Sequence, residues 1–114
     1  LDLWGCAREL ARVTKAARDG TASREALSGS TITLTRLGAL GGIAATPVIN
    51  APEVAILGPN KRMERPVVRD GQVVIRTLMN LSSSFDHRVV DGWTAAEFIQ
   101  ALRELLEHPV RILV

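Results

Sequence analysis

The sequence predicts an α/β sandwich with a mixed sheet, on three observations. Apolar residues recur at helical spacing at both ends of the chain, strand-like stretches fill the middle, and Asp70-Gly71 marks a hairpin between two of them.

The first helix begins at Asp2, an N-cap candidate. It carries Leu3, Cys6, Ala7, Leu10, Val13 and Ala17 on one stripe and Arg8, Arg12, Lys15 and Asp19 on the other side. Gly20 stops it, since glycine readily takes the left-handed conformation that closes helices. A short second helix is expected over Ser23–Leu27, closed by Ser28-Gly29-Ser30. Thr31 to Arg36 alternates threonine with Ile32 and Leu34, the period of a half-buried strand, and Thr35 sits at its end. The glycine-rich run Leu37–Gly42 then breaks the strand. It has neither a Walker lysine nor a Gly-x-Gly-x-x-Gly pattern, which disfavours a phosphate loop of those types.

Glu53–Leu57 is apolar, bracketed by Pro52 and Gly58-Pro59, and reads as a buried strand. Met63–Val68 and Gln72–Phe85 flank the Asp70-Gly71 turn. In the longer arm Val73, Ile75, Thr77, Met79, Leu81 and Phe85 share one parity, so a single strand is expected to deliver His87 to its tip. After Asp91, the stripe Ala95, Phe98, Ile99, Leu102, Leu105 and Leu106 predicts the last helix, with Pro109 as its stop and His108 as a partner of the helix dipole. Cys6 reads as a small core residue, and Trp4, Met79, Trp93 and Phe98 as core or interface residues.

With 114 residues, 46% hydrophobic and 23% charged, the chain has material for one modest domain. Its net charge of +2 is spread along the sequence without interleaved aromatics, which argues against nucleic acid as a partner. One cysteine and two distant histidines offer no metal-ligand spacing, so no metal is expected. No apolar run reaches membrane-spanning length, and a soluble, intracellular protein is expected. The first residue, Leu1, already enters a helical pattern, which suggests a fragment of a longer polypeptide.

The most informative segment is Ser84-Phe85-Asp86-His87-Arg88-Val89-Val90-Asp91-Gly92. It sets a histidine between two carboxylates where a strand gives way to a helix. An imidazole accepts a proton near neutral pH, and a neighbouring carboxylate can orient it, so His87 reads as a general base. The plainer reading makes Asp86 and Asp91 turn or capping residues and His87 a polar strand end. Spacing alone leaves both open.

The whole segment resembles the Asp-His-Arg-x-x-Asp-Gly signature of the dihydrolipoamide acyltransferase components of 2-oxoacid dehydrogenase complexes. The likeness extends through Thr31–Gly38, Thr46–Gly58 and the helix ending near His108. It covers nearly all of residues 1–114 and roughly the C-terminal half of the family's catalytic domain. The resemblance implies a chloramphenicol acetyltransferase-like sandwich, a homotrimer that builds a larger hollow core, and active-site channels between subunits. Coenzyme A and the lipoyl group would enter those channels as substrates from opposite ends, the lipoate being carried on a domain absent from this chain. The decarboxylase and dihydrolipoamide dehydrogenase components of the complex would be partners, in a bacterial cytoplasm or a mitochondrial matrix.

By the same resemblance, His87 would take the thiol proton of coenzyme A. Thr35, matching the family's serine or threonine, would donate its hydroxyl to the oxyanion, a contribution of about 3 kcal/mol, and would do so at a neighbouring subunit's His87. Asp91 would hold the site architecture through an ion pair with an arginine from the other half of the domain. Asp86 and Arg88 complete the signature with structural roles, and the coenzyme A contacts have no matched positions. The stretch Met79–Phe85 looks more like the branched-chain members than the pyruvate or 2-oxoglutarate ones. Two alternatives stand beside this: a non-catalytic assembly module of the same fold, and an acyltransferase of that fold acting on an antibiotic hydroxyl. Retention of His87, Asp91 and Thr35 argues against the first, and the match over Pro47–Gly58 against the second. The piece by itself is expected to lack measurable turnover.

Overall fold

The computed structural model describes residues 2–36 and 41–113. Leu37 to Leu40 of the glycine-rich run lie outside the described residues, as do Leu1 and Val114. The chain divides into two compact units, Leu1–Ser30 and Thr31–Val114.

In the first unit, α1 spans Leu3–Arg18. Asp2 caps it, its carboxylate accepting from the Gly5 N–H at 2.6 Å and so satisfying one of the helix's free donors. Gly20, at φ +70°, follows the last turn, where Thr21 N donates back to Ala16 O at 2.9 Å. The segment expected as a second helix is a single 3-10 turn, Glu25–Leu27. Only Gly5 is buried in α1. Cys6, expected in a core, is exposed, and Trp4 is 74% exposed. The amphipathic stripe exists, but within this unit nothing covers it.

The second unit is organised around the strand β2. In order it contains β1 (Thr33–Leu34), β2 (Ala55–Pro59), β3 (Met63–Arg69), β4 (Gln72–Leu78), β5 (Leu81–Phe85) and α2 (Gly92–Glu107). β2 is the centre of a three-stranded mixed sheet, parallel to β1 and antiparallel to β5. Central placement explains its apolar composition: among the described residues, Ala55, Ile56 and Leu57 are the buried hydrophobic ones, as expected of a strand covered on both faces. Buried beside them, Glu53 accepts a hydrogen bond from the Thr33 hydroxyl.

The two faces of β5 do different work. Phe85 meets Phe98 of α2 edge to face, with centroids 6.1 Å apart and rings at 85°. Ser82 and Ser84, of the other parity, hold the 41–52 segment. Ser84 Oγ donates to Pro47 O at 2.6 Å, Ser82 Oγ accepts from Ala45 N at 3.0 Å, and Asn80 Nδ2 donates to Ile43 O at 2.8 Å. The contacts advance in step, so this irregular segment runs along β5 on side-chain bonds. On α2, Ala95, Ile99, Leu102 and Leu105 form the half-buried stripe, while Trp93 is 76% exposed.

β3 and β4 form a separate two-stranded sheet, paired from Met63↔Leu78 to Arg69↔Gln72. Asp70 at φ +52° and Gly71 at φ +75° make the tight turn that the sequence predicted, because a type I′ turn needs positive φ at both central residues.

Four expectations about the strands need correction. The single arm Gln72–Phe85 is two strands in two sheets, parting at Met79-Asn80, where Asn80 turns its side chain and carbonyl to Ile43 and Asn60. Its parity is also reversed in β4, where Val74 is half-buried and Val73 and Ile75 are exposed. The strand expected over Thr31 to Arg36 pairs only at Thr33–Leu34, and the one at Glu53–Leu57 shifts to Ala55–Pro59. Pro109 does end α2, yet a 3-10 turn, Pro109–Ile112, follows immediately.

Candidate active site

His87 owes its position to the turn that follows β5. Asp86 N donates to Val54 O at 2.9 Å, the last backbone bond to the β2 side. The chain then folds back, with Val89 N and Val90 N both donating to Asp86 O at 3.0 and 2.9 Å. Asp86 locks the turn through its side chain. Its carboxylate accepts from Arg88 N at 3.0 Å, Arg88 Nε at 2.9 Å and Arg88 Nη2 at 2.6 Å. Those Arg88 bonds hold the Asp86 carboxyl well below the usual carboxylate range, at about 2. His87, between the paired residues, is exposed to solvent.

Asp91 is the N-cap of α2, its Oδ1 accepting from Thr94 N at 2.7 Å. The Thr94 N–H is the main reason its carboxyl lies below the ordinary range, followed by the Thr94 hydroxyl, with smaller help from His87 and the Trp93 N–H. The capping reading of Asp91 therefore holds. Among the described residues, neither carboxylate hydrogen-bonds the imidazole: Asp86 is engaged by Arg88 and Asp91 by Thr94.

Thr35 leaves the end of β1, where its N–H donates to Leu57 O at 2.8 Å. Its methyl rests over Gly58, 3.6 Å from where a Cβ on that glycine would stand. The half-buried Thr35 forms part of the wall of a cavity of about 530 Å³ that also involves Arg36, Gly58, Lys61, Arg62 and Met79.

The register keeps Thr35 and His87 apart. Thr35 is bonded to Leu57 on one side of β2, and Asp86 to Val54 on the other. These anchors differ by about 10 Å along the strand, and β1 and β5 lie about 10 Å apart across it. One chain does not bring the two side chains to a common reacting atom.

Two groups escaped the sequence reading. The polar bracing by Asn60, Asn80, Ser82 and Ser84 had a signal, serines and asparagines at alternate positions of an apolar sheet. The gathering of Arg36, Lys61 and Arg62 at one cavity had none, because these residues come from two segments far apart in sequence.

The full length of the chain, residues 1–114, matches the family model of the 2-oxoacid dehydrogenase acyltransferase catalytic domain, and the chain belongs to that family. It is 67% identical over 112 residues to the lipoamide acyltransferase component of the branched-chain alpha-keto acid dehydrogenase complex of Pseudomonas putida, covering 98% of this chain and 26% of that protein. Identity to the succinyltransferase component of the 2-oxoglutarate dehydrogenase complex of Pseudomonas aeruginosa is 42% over 105 residues, covering 92% of this chain and 26% of that protein. Among solved structures, a dihydrolipoamide acetyltransferase of Azotobacter vinelandii superposes with a TM-score of 0.91 at 42% identity, over 100% of this chain and 47% of that one. That structure was determined to define the roles of a serine, a histidine and an asparagine in catalysis. The chain thus has the fold of these acyltransferase cores and spans about a quarter of the length of the curated relatives.

Proposed function

We propose that this chain is the C-terminal part of an acyltransferase catalytic domain that moves an acyl group between dihydrolipoamide and coenzyme A in a branched-chain 2-oxoacid dehydrogenase complex. One observation carries the assignment of roles. The serine, histidine and asparagine of the Azotobacter enzyme are separated by 52 and then 4 positions, the spacing of Thr35, His87 and Asp91 here. Threonine keeps the hydroxyl that serine offers, and aspartate keeps the capping oxygen that asparagine offers.

In this reading His87 Nε2 or Nδ1 takes the proton of the coenzyme A thiol. The thiolate attacks the thioester carbonyl, forming a new carbon–sulfur bond and a negatively charged tetrahedral oxygen. The Thr35 hydroxyl donates to that oxygen. Collapse breaks the carbon–sulfur bond to dihydrolipoamide, and the proton on His87 passes to the departing sulfur. The separation of Thr35 and His87 across β2 supports a site shared by neighbouring copies in a trimer. Higher identity to the branched-chain component than to the succinyltransferase supports the branched-chain acyl group.

The test is acyl transfer to coenzyme A by the full-length protein, with branched-chain, acetyl and succinyl dihydrolipoamide thioesters as donors. Preference for the branched-chain donor, lost with His87→Ala, is the expected result. An intact assembly with no transfer from any donor would reject the enzyme reading in favour of a scaffold.

A further inference from the structure

We propose that Glu53 is a positioning residue for Thr35, holding β1 through the Thr33 hydroxyl so that the Thr35 side chain is set for the oxyanion. The inference rests on the acyltransferase reading and adds a buried acid that the mechanism does not otherwise use.

Among the described residues Glu53 is the buried charged one, at 6% exposed. A carboxyl taken out of water is unfavourable unless hydrogen bonds replace its hydration. The Thr33 hydroxyl supplies one, donating to Glu53 Oε2 across 20 positions of sequence. The bond therefore joins two segments of the fold. It reaches β1 where the backbone ladder is short: β1 pairs with β2 at Thr33↔Ile56 and Leu34↔Leu57, and the Thr35 N–H to Leu57 O follows at 2.8 Å. So short a ladder specifies register weakly, and side chains on the inner face complete the choice.

The face that β1 turns inward is the reverse of what hydropathy alone favours. Thr33 and Thr35 are half-buried, whereas Leu34 is 72% exposed. Alternate residues of an extended chain share a face, so the bond that draws Thr33 inward also fixes the face on which Thr35 stands. The same stretch serves the His87 turn. Glu53 N donates to Asn50 O at 2.9 Å, and the carbonyl of the next residue, Val54, accepts from Asp86 N at 2.9 Å. The residues just ahead of β2 thus hold the Thr35 segment by a side chain and the His87 segment by the backbone.

Acyl transfer to coenzyme A and amide exchange, both on the full-length protein, test this. Thr33→Val removes the donor and leaves Glu53 in place. It is expected to lower kcat about 10-fold with both KM values within about twofold, and Thr33→Ser, which returns the hydroxyl, to recover the loss. Glu53→Ala should act in the same sense, and Glu53→Gln, which keeps an acceptor oxygen, should stay near the parent. Where Glu53→Ala fails to assemble, Thr33→Val decides. In a Thr35→Ala background Thr33→Val is expected to cost less than about twofold, because a residue acting through Thr35 has nothing left to position. Exchange over residues 31–36 should quicken in Thr33→Val while β5 keeps its protection. Equal losses in both backgrounds, a rise in KM in place of the fall in kcat, or unchanged exchange over 31–36 overturns the proposal. Quickened exchange in a protein without transferase activity sinks the acyltransferase reading alone. Transfer by the parent with equal losses in both backgrounds sinks this inference alone.

Discussion

Thr35 and His87 flank opposite sides and opposite ends of β2, bonded through their segments to Leu57 and Val54 respectively. A hydroxyl that stabilises an oxyanion and a base that takes the thiol proton must both lie about 3 Å from atoms of one reacting group. The two requirements meet only when copies of the chain are joined. Mixed assemblies make the consequence measurable. Thr35→Ala and His87→Ala proteins, each slow alone, are expected to recover about a quarter of parental activity when unfolded and reassembled together in equal amounts, because a closed ring places intact Thr35 beside intact His87 at that frequency. Activity no greater than the sum of the separate variants would put both residues to work within one chain.

The cap that Asp91 makes on α2 can be separated from its charge by substitution. Asn caps helices as well as Asp does, so Asp91→Asn is expected to keep the parental melting temperature, while Asp91→Ala loses the bond to the Thr94 N–H and melts a few degrees lower. Transfer rates of the two variants then separate loss of the carboxylate charge from loss of the cap. A lower melting temperature for the asparagine variant, equal to that of alanine, would contradict the cap.

His87 is exposed and, among the described residues, its imidazole makes no hydrogen bond, so its loss is expected to be chemical. His87→Ala should lower kcat by about 10² to 10⁴ with an unchanged circular dichroism spectrum. A loss of secondary structure accompanying the loss of rate would show that the imidazole holds the turn.

The turn that presents His87 depends on an ionised Asp86. Because the folded carboxyl is held at about 2, below its ordinary value of 3.8, the stabilisation is fully present above about 4 and is lost as the pH falls through 2. The stability difference between parent and Asp86→Asn, followed by urea unfolding, should therefore be greatest near neutral pH and shrink between pH 4 and pH 2. A difference that does not change over that interval would rule out the Arg88 fork as its source.

Ser84 anchors the 41–52 segment where no backbone ladder does. Ser84→Ala leaves Pro47 O without its donor and is expected to cost about 1 kcal/mol. Amide exchange should quicken in that segment and leave β2 protected. Uniform acceleration across the sheet would point to global destabilisation.

Local signals were legible in the chain wherever the cause was local. Asp2 and Asp91 cap their helices because a short carboxylate before an amphipathic stripe finds free N–H groups within three residues. Asp70-Gly71 turns the hairpin because the turn geometry demands those residues. His87 was visible as a candidate base from its neighbours alone. The split of Gln72–Phe85 was not, since alternation in an extended chain does not say which sheet receives each half. Val74 faces its sheet and Val73 does not, a choice made by pairing with Val67 rather than by either residue's chemistry.

The sequence by itself determined the two long helices, their N-caps, the hairpin turn and the histidine between two aspartates, because each follows from forces acting over a few residues. Only the tertiary structure decided that Cys6 and Trp93 face solvent, that Arg36 joins Lys61 and Arg62 at one cavity, and that β2 stands between Thr35 and His87. The last two relations depend on strand order and register in the second unit, where Ala55, Ile56 and Leu57 are buried among segments distant in the chain.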